Sequence, residues 1–304
     1  MTATTSAAPT VTADATPTPA GEGARTSRAR RRPRRGLLFG LLAWVVGLFF
    51  VSPLLWMVLT SLHSETSAAT NPPSWFAPLT LDGYRNFFGA TTGASPWPAL
   101  INSAQASVLS TLLVLVLALP AGYALSIRPV KKWSDVMFFF LSTKMLPMVA
   151  GLLPVYLIAK SAGLLDSVIL LVILYTAMNL PIAIWMMRSF LAEIPVEILE
   201  AAALDGASLP MIFRRVIIPV SGPGIAATAL ICFIFSWNEL LFASVLTSTR
   251  AITAPVFLTS FVTSQGLFLA KVCAAAVAVS LPVLVAGFAA QDKLVQGLSL
   301  GAVK

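Results

Sequence analysis

Residues 166–224 read DSVILLVILYTAMNLPIAIWMMRSFLAEIPVEILEAAALDGASLPMIFRRVIIPVSGPG, and this stretch decides the fold. Its first part, 166–188, carries charge only at its two ends, Asp166 and Arg188. About 20 apolar residues cross a bilayer core as a helix, so this part predicts a membrane span. The polarity then changes at once: Glu193, Glu197, Glu200, Asp205, Arg214 and Arg215 all fall within 189–216. Pro195 suits the first turn of a helix, where its missing N–H costs nothing. Glu193 and Glu197 suit the positive end of that helix's dipole. Ile198, Leu199, Ala202 and Ala203 supply an apolar stripe at helical spacing. Gly206 suits a C-cap or turn. Ser208 is placed to cap a second short helix with Pro210 in its first turn. Pro219 and Pro223 then open another apolar run. The stretch therefore predicts a span, a surface helix, a glycine turn, a second surface helix and the start of a further span.

The same reading extends outward. The 304-residue chain is 57% hydrophobic and 11% charged, where soluble domains carry about 25% charged residues. So little charge cannot cover a water-facing surface, and lipid is the solvent the composition calls for. Six long apolar segments follow, near 37–62, 101–127, 135–159, 166–188, 217–247 and 271–291. Several contain proline, which membrane helices tolerate because neighbours satisfy the freed carbonyls. No strand-like alternation appears, so the fold class is all-α: a polytopic bundle of six transmembrane helices. Residues 1–36 form a tail, with Thr, Ala, Pro, Ser and Gly first and seven arginines between Arg25 and Arg35. Its composition predicts disorder. The run from Gly36 to Leu62 is too long for a signal-peptide core, so an uncleaved first span is expected.

Orientation follows from the basic residues. With the N-terminus in the cytoplasm, that side holds Arg25, Arg28, Arg30, Arg31, Arg32, Arg34, Arg35, Arg128, Lys131, Lys132, Arg188, Arg214, Arg215, Lys293 and Lys304. The other side holds Arg85, Lys160, Arg250 and Lys271. Both termini are expected in the cytoplasm, and the basic flank faces anionic lipid rather than nucleic acid. The external stretch 63–100 is a candidate cap or docking surface. Cys232 and Cys273 lie in apolar runs without metal or disulfide spacing, and read as small buried hydrophobes. The lone His63 reads as an interfacial residue.

Glu200-Ala201-Ala202, Asp205-Gly206-Ala207, Ile218-Pro219 and Pro223 together resemble the EAA loop of binding-protein-dependent ABC importer permeases. The resemblance implies that this loop, about 189–216, forms cytoplasmic coupling helices that dock on an ATPase subunit. Trp237-Asn238-Glu239 and the ending Gln296–Lys304 resemble carbohydrate-importer permeases of the maltose-permease type. Ser142–Pro147, STKMLP, resembles the third span of sorbitol and mannitol permeases. The likeness covers 37–304, which makes that region one transmembrane domain. The implied partners are a second permease subunit, an ATPase dimer, an extracytoplasmic solute-binding protein and a small carbohydrate. The chain lacks a G-x-x-x-x-G-K-[ST] loop, so ATP and Mg are expected on the ATPase, with no cofactor, metal or catalytic residue here.

Within the spans, polar groups are the translocation-pathway candidates: Lys144, Asn179, Asn238 and Glu239. A lysine at mid-membrane costs roughly 2.5–3.5 kcal/mol, so Lys144 is expected to face the bundle interior or water, with Glu239 a conceivable partner. Either a substrate contact or a packing ion pair satisfies that cost. Trp75, Trp97, Trp133 and Trp237 offer flat faces to sugars, but the first three fall near boundaries, where tryptophan anchors. Other readings stay open: an ABC permease for a non-carbohydrate solute, or a secondary transporter, which predicts inverted repeats. An embedded enzyme needs clustered catalytic groups, and none is seen.

Overall fold

The computed structural model describes residues 34–70, 74–89, 95–127, 130–263 and 266–302. The tail up to residue 33 and the side chains of the Gln296–Lys304 ending lie outside this description. In chain order the helices are α1 (Arg34–Ser61), α2 (Glu65–Ala68), α3 (Asp82–Phe87), α4 (Trp97–Ser126), α5 (Trp133–Thr143), α6 (Met148–Ser161) and α7 (Val168–Leu191). Then come α8 (Val196–Leu204), α9 (Leu209–Ile212), a π-helical turn (Phe213–Ile217), α10 (Ile218–Val220), α11 (Gly222–Trp237), α12 (Leu241–Leu246), α13 (Ala254–Thr259) and α14 (Leu269–Ala302).

Four helices are long and apolar enough to cross a bilayer alone: α1, α4, α7 and the Leu269–Lys293 part of α14. At 1.5 Å per residue, the 24-residue α7 is about 36 Å long, enough for a core of about 30 Å. The expected third and fifth spans are not single helices. The third breaks at Lys144–Pro147 into α5 and α6, bent by 84°. Pro147 is the cause: it stands extended as the N-cap of α6, and the residue before a proline is pushed out of helical geometry. The fifth is bent by 78° where α10 meets α11, and α11 stops at Trp237 rather than running to 247. The span count is thus four, or six if each bent pair crosses once. A two-residue hairpin also pairs β1 (Val262–Thr263) with β2 (Gly266–Leu267), a small departure from the all-α expectation.

α4 and α7 form the most extensive helix pair, and α11 packs against α4, α7 and α14. Two of the three core clusters sit along α7. Near its C-terminal end, Ala183, Ile184, Met187 and Leu191 pack with Val114, Leu125, Met137 and Cys232. Near its N-terminal end, Leu170, Leu171 and Tyr175 pack with Ala106, Ala159 and Phe242. The third cluster joins Phe87, Trp237, Phe261 and Val279. Between the first two lies a polar tie. Asn179 donates to Ser236 Oγ at 2.9 Å, and Ser110 donates to the same oxygen at 3.1 Å. Gly224 of α11 meets α7 so closely that a Cβ there would stand 2.6 Å from Cδ2 of Phe190.

The described part of 63–100 is packed onto the bundle. α3 packs on α14, and Ser61 Oγ is hydrogen-bonded to the Tyr84 hydroxyl at 2.8 Å. His63, two residues past the end of α1, is buried within the protein at 1% exposure. Cys232 is buried and Cys273 half-buried, both free thiols.

Candidate functional site

The surface helices form at one end of the bundle as expected, with changes in detail. α8 starts at Val196, so Pro195 is its extended N-cap and not a first-turn residue. The Ser208 side chain makes no capping bond to α9. The apolar stripe is narrower than its spacing suggested: Leu199 is buried and Ala202 half-buried, but Ile198 and Ala203 are exposed. Leu199 and Ile212 enter the same core cluster as Met187 and Leu191 of α7, so both surface helices are packed onto a membrane span.

Asp205 is the C-cap of α8, and Gly206 follows at φ 79°, a left-handed conformation that its lack of Cβ allows. The Gly206 N–H donates to Ala203 O at 3.0 Å and the Ala207 N–H to Ala202 O at 3.0 Å, which closes the helix end. Ala202, Asp205, Gly206 and Ala207 line a hollow of about 390 Å³ opposite Met211 and Arg215. Glu200 and Ala201 are exposed on the neighbouring face of α8. Leu204 at the tip is 89% exposed. Sequence reading passed over it because leucine inside a helical pattern reads as core; its place one residue before the C-cap was the signal.

The span candidates make no hydrogen bond or ion pair with one another among the described residues. Lys144 is the C-cap of α5, at the break. It lines a cavity of about 440 Å³ with Thr143, Leu146, Met178 and Phe242. Neither ion pair recorded among the described residues, Asp82–Arg85 and Asp166–Arg250, involves it. Glu239 is used elsewhere: its carboxylate accepts from the N–H groups of Phe242 at 2.8 Å and Ala243 at 3.2 Å, and so caps α12. Asn238 is exposed and donates to Ile234 O at 2.8 Å, at the end of α11. Asn179 is fully buried in the polar tie described above. Trp237 is 3% exposed and donates to Val279 O at 3.1 Å, which leaves no face for a ring to stack on within this chain. Trp133 stands beneath the Arg188 guanidinium, 3.8 Å from its ring centre, and Trp75 packs on Trp56.

At the opposite end the structure has a site that the sequence did not reveal. Asp166, at φ 56°, directs its carboxylate to the loop after α12. It accepts from the N–H groups of Ser248, Arg250 and Ala251 at 3.0 Å each, from that of Thr249 at 3.2 Å, and from the Thr249 hydroxyl at 2.9 Å. Burial pushes this carboxyl's pKa up, but the hydrogen bonds from Arg250, Ser248, Ala251 and Thr249 outweigh it and hold the group well below the usual carboxylate range. Asn102 donates to the carbonyls of Arg250 at 2.8 Å and Ile252 at 3.0 Å, and Ser103 Oγ accepts from the Ala254 N–H at 2.7 Å. Glu65 works similarly, capping α14 through the N–H groups of Ala270 and Lys271.

A bent-span bundle with a helix–turn–helix exposed at one end describes a membrane transport component. Residues 114–299 match the family of binding-protein-dependent transport system inner membrane components, and the chain belongs to that family. It is a multi-pass membrane transport subunit and not an enzyme. The trehalose transport system permease protein SugB of Mycobacterium tuberculosis is 33% identical, over 89% of this chain and 98% of its own. The diacetylchitobiose uptake system permease protein DasC of Streptomyces coelicolor is also 33% identical, over 85% of this chain and 93% of its own. The same fold is seen in a crystal structure of a bacterial ABC transporter involved in the import of the acidic polysaccharide alginate. That likeness has a TM-score of 0.70 at 23% identity, over 88% of this chain and 98% of that one.

Proposed function

We propose that this chain is a permease subunit of an ATP-driven importer that carries a sugar or sugar alcohol across the cytoplasmic membrane by alternating access. The observation that carries the reading is the end-to-end likeness to permeases named for trehalose and diacetylchitobiose. In this reading α8, Gly206 and α9 are the coupling helices. Glu200, Ala201, Ala202, Asp205, Gly206 and Ala207 face an ATPase subunit, with Leu204 as an apolar knob. The ATPase dimer holds ATP and Mg, and a second permease subunit completes the pathway. An extracytoplasmic binding protein delivers the solute. Both termini lie in the cytoplasm, as the arginine and lysine distribution requires.

Lys144 is the pathway residue we favour. It is half-buried, lines a cavity at a broken span, and has no ion pair among the described residues. An unpaired ammonium within a membrane is a functional group by default, and broken helices are where transporters place their sites. The resemblance of Ser142–Pro147 to sorbitol and mannitol permeases points to a polyol within the carbohydrate class. The test is uptake of labelled mannitol, sorbitol, trehalose, maltose and glycerol phosphate in cells lacking the gene and in complemented cells. Loss of polyol uptake supports the full reading. Loss of a disaccharide alone keeps the carbohydrate class and removes the polyol. Loss of none leaves a permease for another solute.

A further inference from the structure

We propose that the groove between α4, α11 and α14 binds an anionic glycerophospholipid of the cytoplasmic leaflet, with its phosphate on Lys293 and an ester carbonyl on Thr111. The proposal rests on the orientation given above and not on the solute carried. The groove encloses about 350 Å³, and α11 and α14 leave it open by contributing alanines, Ala229, Ala286 and Ala290 among them. An apolar trough facing lipid is ordinary in a membrane span. Two polar groups in this one are not.

The first is Thr111, which lines the groove at 7% exposure, and its Oγ1 has no hydrogen-bond partner among the described residues. The hydroxyls of Thr176 and Thr228, on the neighbouring spans, donate instead to the carbonyl four residues back, at 2.7 and 2.8 Å. A buried hydroxyl without a partner is costly, and an alkyl chain alone cannot relieve it. The second is Lys293, the last residue of the apolar part of α14, which lines the same groove. It is exposed and belongs to neither ion pair recorded among the described residues. Asp292 lies about 100° around the helix from it and does not line the groove.

The order of these groups fits one kind of ligand. In the orientation above, α4 and α14 run toward the cytoplasm and α11 runs away from it. Val108 and Phe233 are therefore farthest from the cytoplasm, Thr111 is nearer, and Lys293 is at the leaflet surface. A glycerophospholipid carries its chain, ester and phosphate in that order, and anionic headgroups of this leaflet attract lysine. A helix with its side chains is about 10–12 Å across, whereas a cube of the groove's volume has an edge of about 7 Å. The hollow admits a chain and not a helix.

The test is lipid retention by the transporter complex in mild detergent, read by native mass spectrometry as phosphatidylglycerol or phosphatidylcholine is added. Wild type should reach half occupancy at an about fivefold lower concentration of phosphatidylglycerol, the effect of one cation at a membrane surface. Lys293→Gln should abolish that preference, and its exposed position keeps folding out of the result. Thr111→Val, which keeps the shape, should raise the half-occupancy concentration of both lipids about threefold. Equal retention of the two lipids by wild type, or an unchanged preference in Lys293→Gln, overturns the site. So does cross-linking of an Ala290→Cys variant to the second permease subunit, which makes the groove a subunit contact. None of these outcomes bears on the uptake reading, which the labelled-solute experiment decides.

Discussion

Gly206 gives the sharpest test of the coupling loop, because one physical quantity controls it. A Cβ built on Gly206 meets nothing within 4 Å, so packing does not oppose a side chain there. What opposes it is the backbone, at φ 79°. For an alanine this left-handed conformation costs roughly 1–2 kcal/mol, which lowers the population of the closed turn by about 5–30-fold relative to alternatives. Asparagine tolerates the conformation better and should fall between glycine and alanine. Proline cannot adopt it, since its ring fixes φ near −65°, and it also deletes the N–H that bonds Ala203 O at 3.0 Å. The hydrogen bond alone contributes about 0.5–1.5 kcal/mol, and the turn is lost with it. We expect coupled uptake to fall in the order Gly206, Asn, Ala, Pro. Membrane insertion should be equal in all four, since the site lies outside the spans. The assay is solute uptake per ATP hydrolysed in vesicles, alongside the amount of assembled complex. Normal uptake by Gly206→Pro would refute the assignment of this turn to coupling, whatever the other variants do.

Four further outcomes follow from the same geometry. Leu204→Asp, at an 89% exposed position, should leave this subunit stable but weaken its co-purification with the ATPase, and unchanged co-purification removes Leu204 from the interface. Asn179→Ala removes the donor to Ser236; it should cost roughly 0.6–2 kcal/mol, read as a lower melting temperature in detergent, and leave half-saturation for solute unchanged. Lys144→Met should relieve roughly 2.5–3.5 kcal/mol of membrane cost and raise thermal stability while lowering uptake; retained uptake makes Lys144 a packing residue. Asp166 has a lower pKa in the folded loop than in an unfolded chain, so its contribution is full above about pH 4 and fades only as pH falls toward the folded value. Proteolysis of the 248–253 loop should therefore be the same at about pH 8 and about pH 5, and faster at both in Asp166→Asn.

Hydropathy made the approximate place of the membrane segments legible, since a run such as 168–187 without a charged side chain has few alternatives to a span. It could not show where a segment bends. The 133–161 stretch stays apolar through its 84° break, and only Pro147 marks the point. The glycine turn was readable because Gly206 stands just past an amphipathic run and its function is conformational. The roles of Glu239 and Asp166 were not readable. A carboxylate in an apolar neighbourhood suggests a pathway or an ion pair, and nothing local says that it will cap a helix or gather backbone N–H groups. For Asp166 those groups lie 82 or more residues away, so only the assembled bundle brings them together. Asn179 illustrates the same limit: its polarity was evident, but its partner Ser236 on α11 depends on which helices meet.

The placement of these groups along α7 explains how one end of the subunit can answer to the other. At its C-terminal end, Met187 and Leu191 share a core cluster with Leu199 of α8 and Ile212 of α9. Halfway along, Asn179 is tied to Ser236 of α11, which Ser110 of α4 also grips. At its N-terminal end, Ser167 caps the helix by accepting from the Leu170 N–H, and Asp166 beside it holds the 248–251 loop. A displacement of α8 and α9 thus acts on packed side chains of α7 and not on a flexible linker. Close-packed interiors transmit such shifts because they leave no void to absorb them. The bends at Lys144–Pro147 and at α10–α11 are the places where the bundle can yield, since backbone hydrogen bonding is already interrupted there. α7 is unbroken between the two ends and lies against α5, α11 and α4. It is therefore the element that joins the packing under α8 and α9 to the loop held by Asp166.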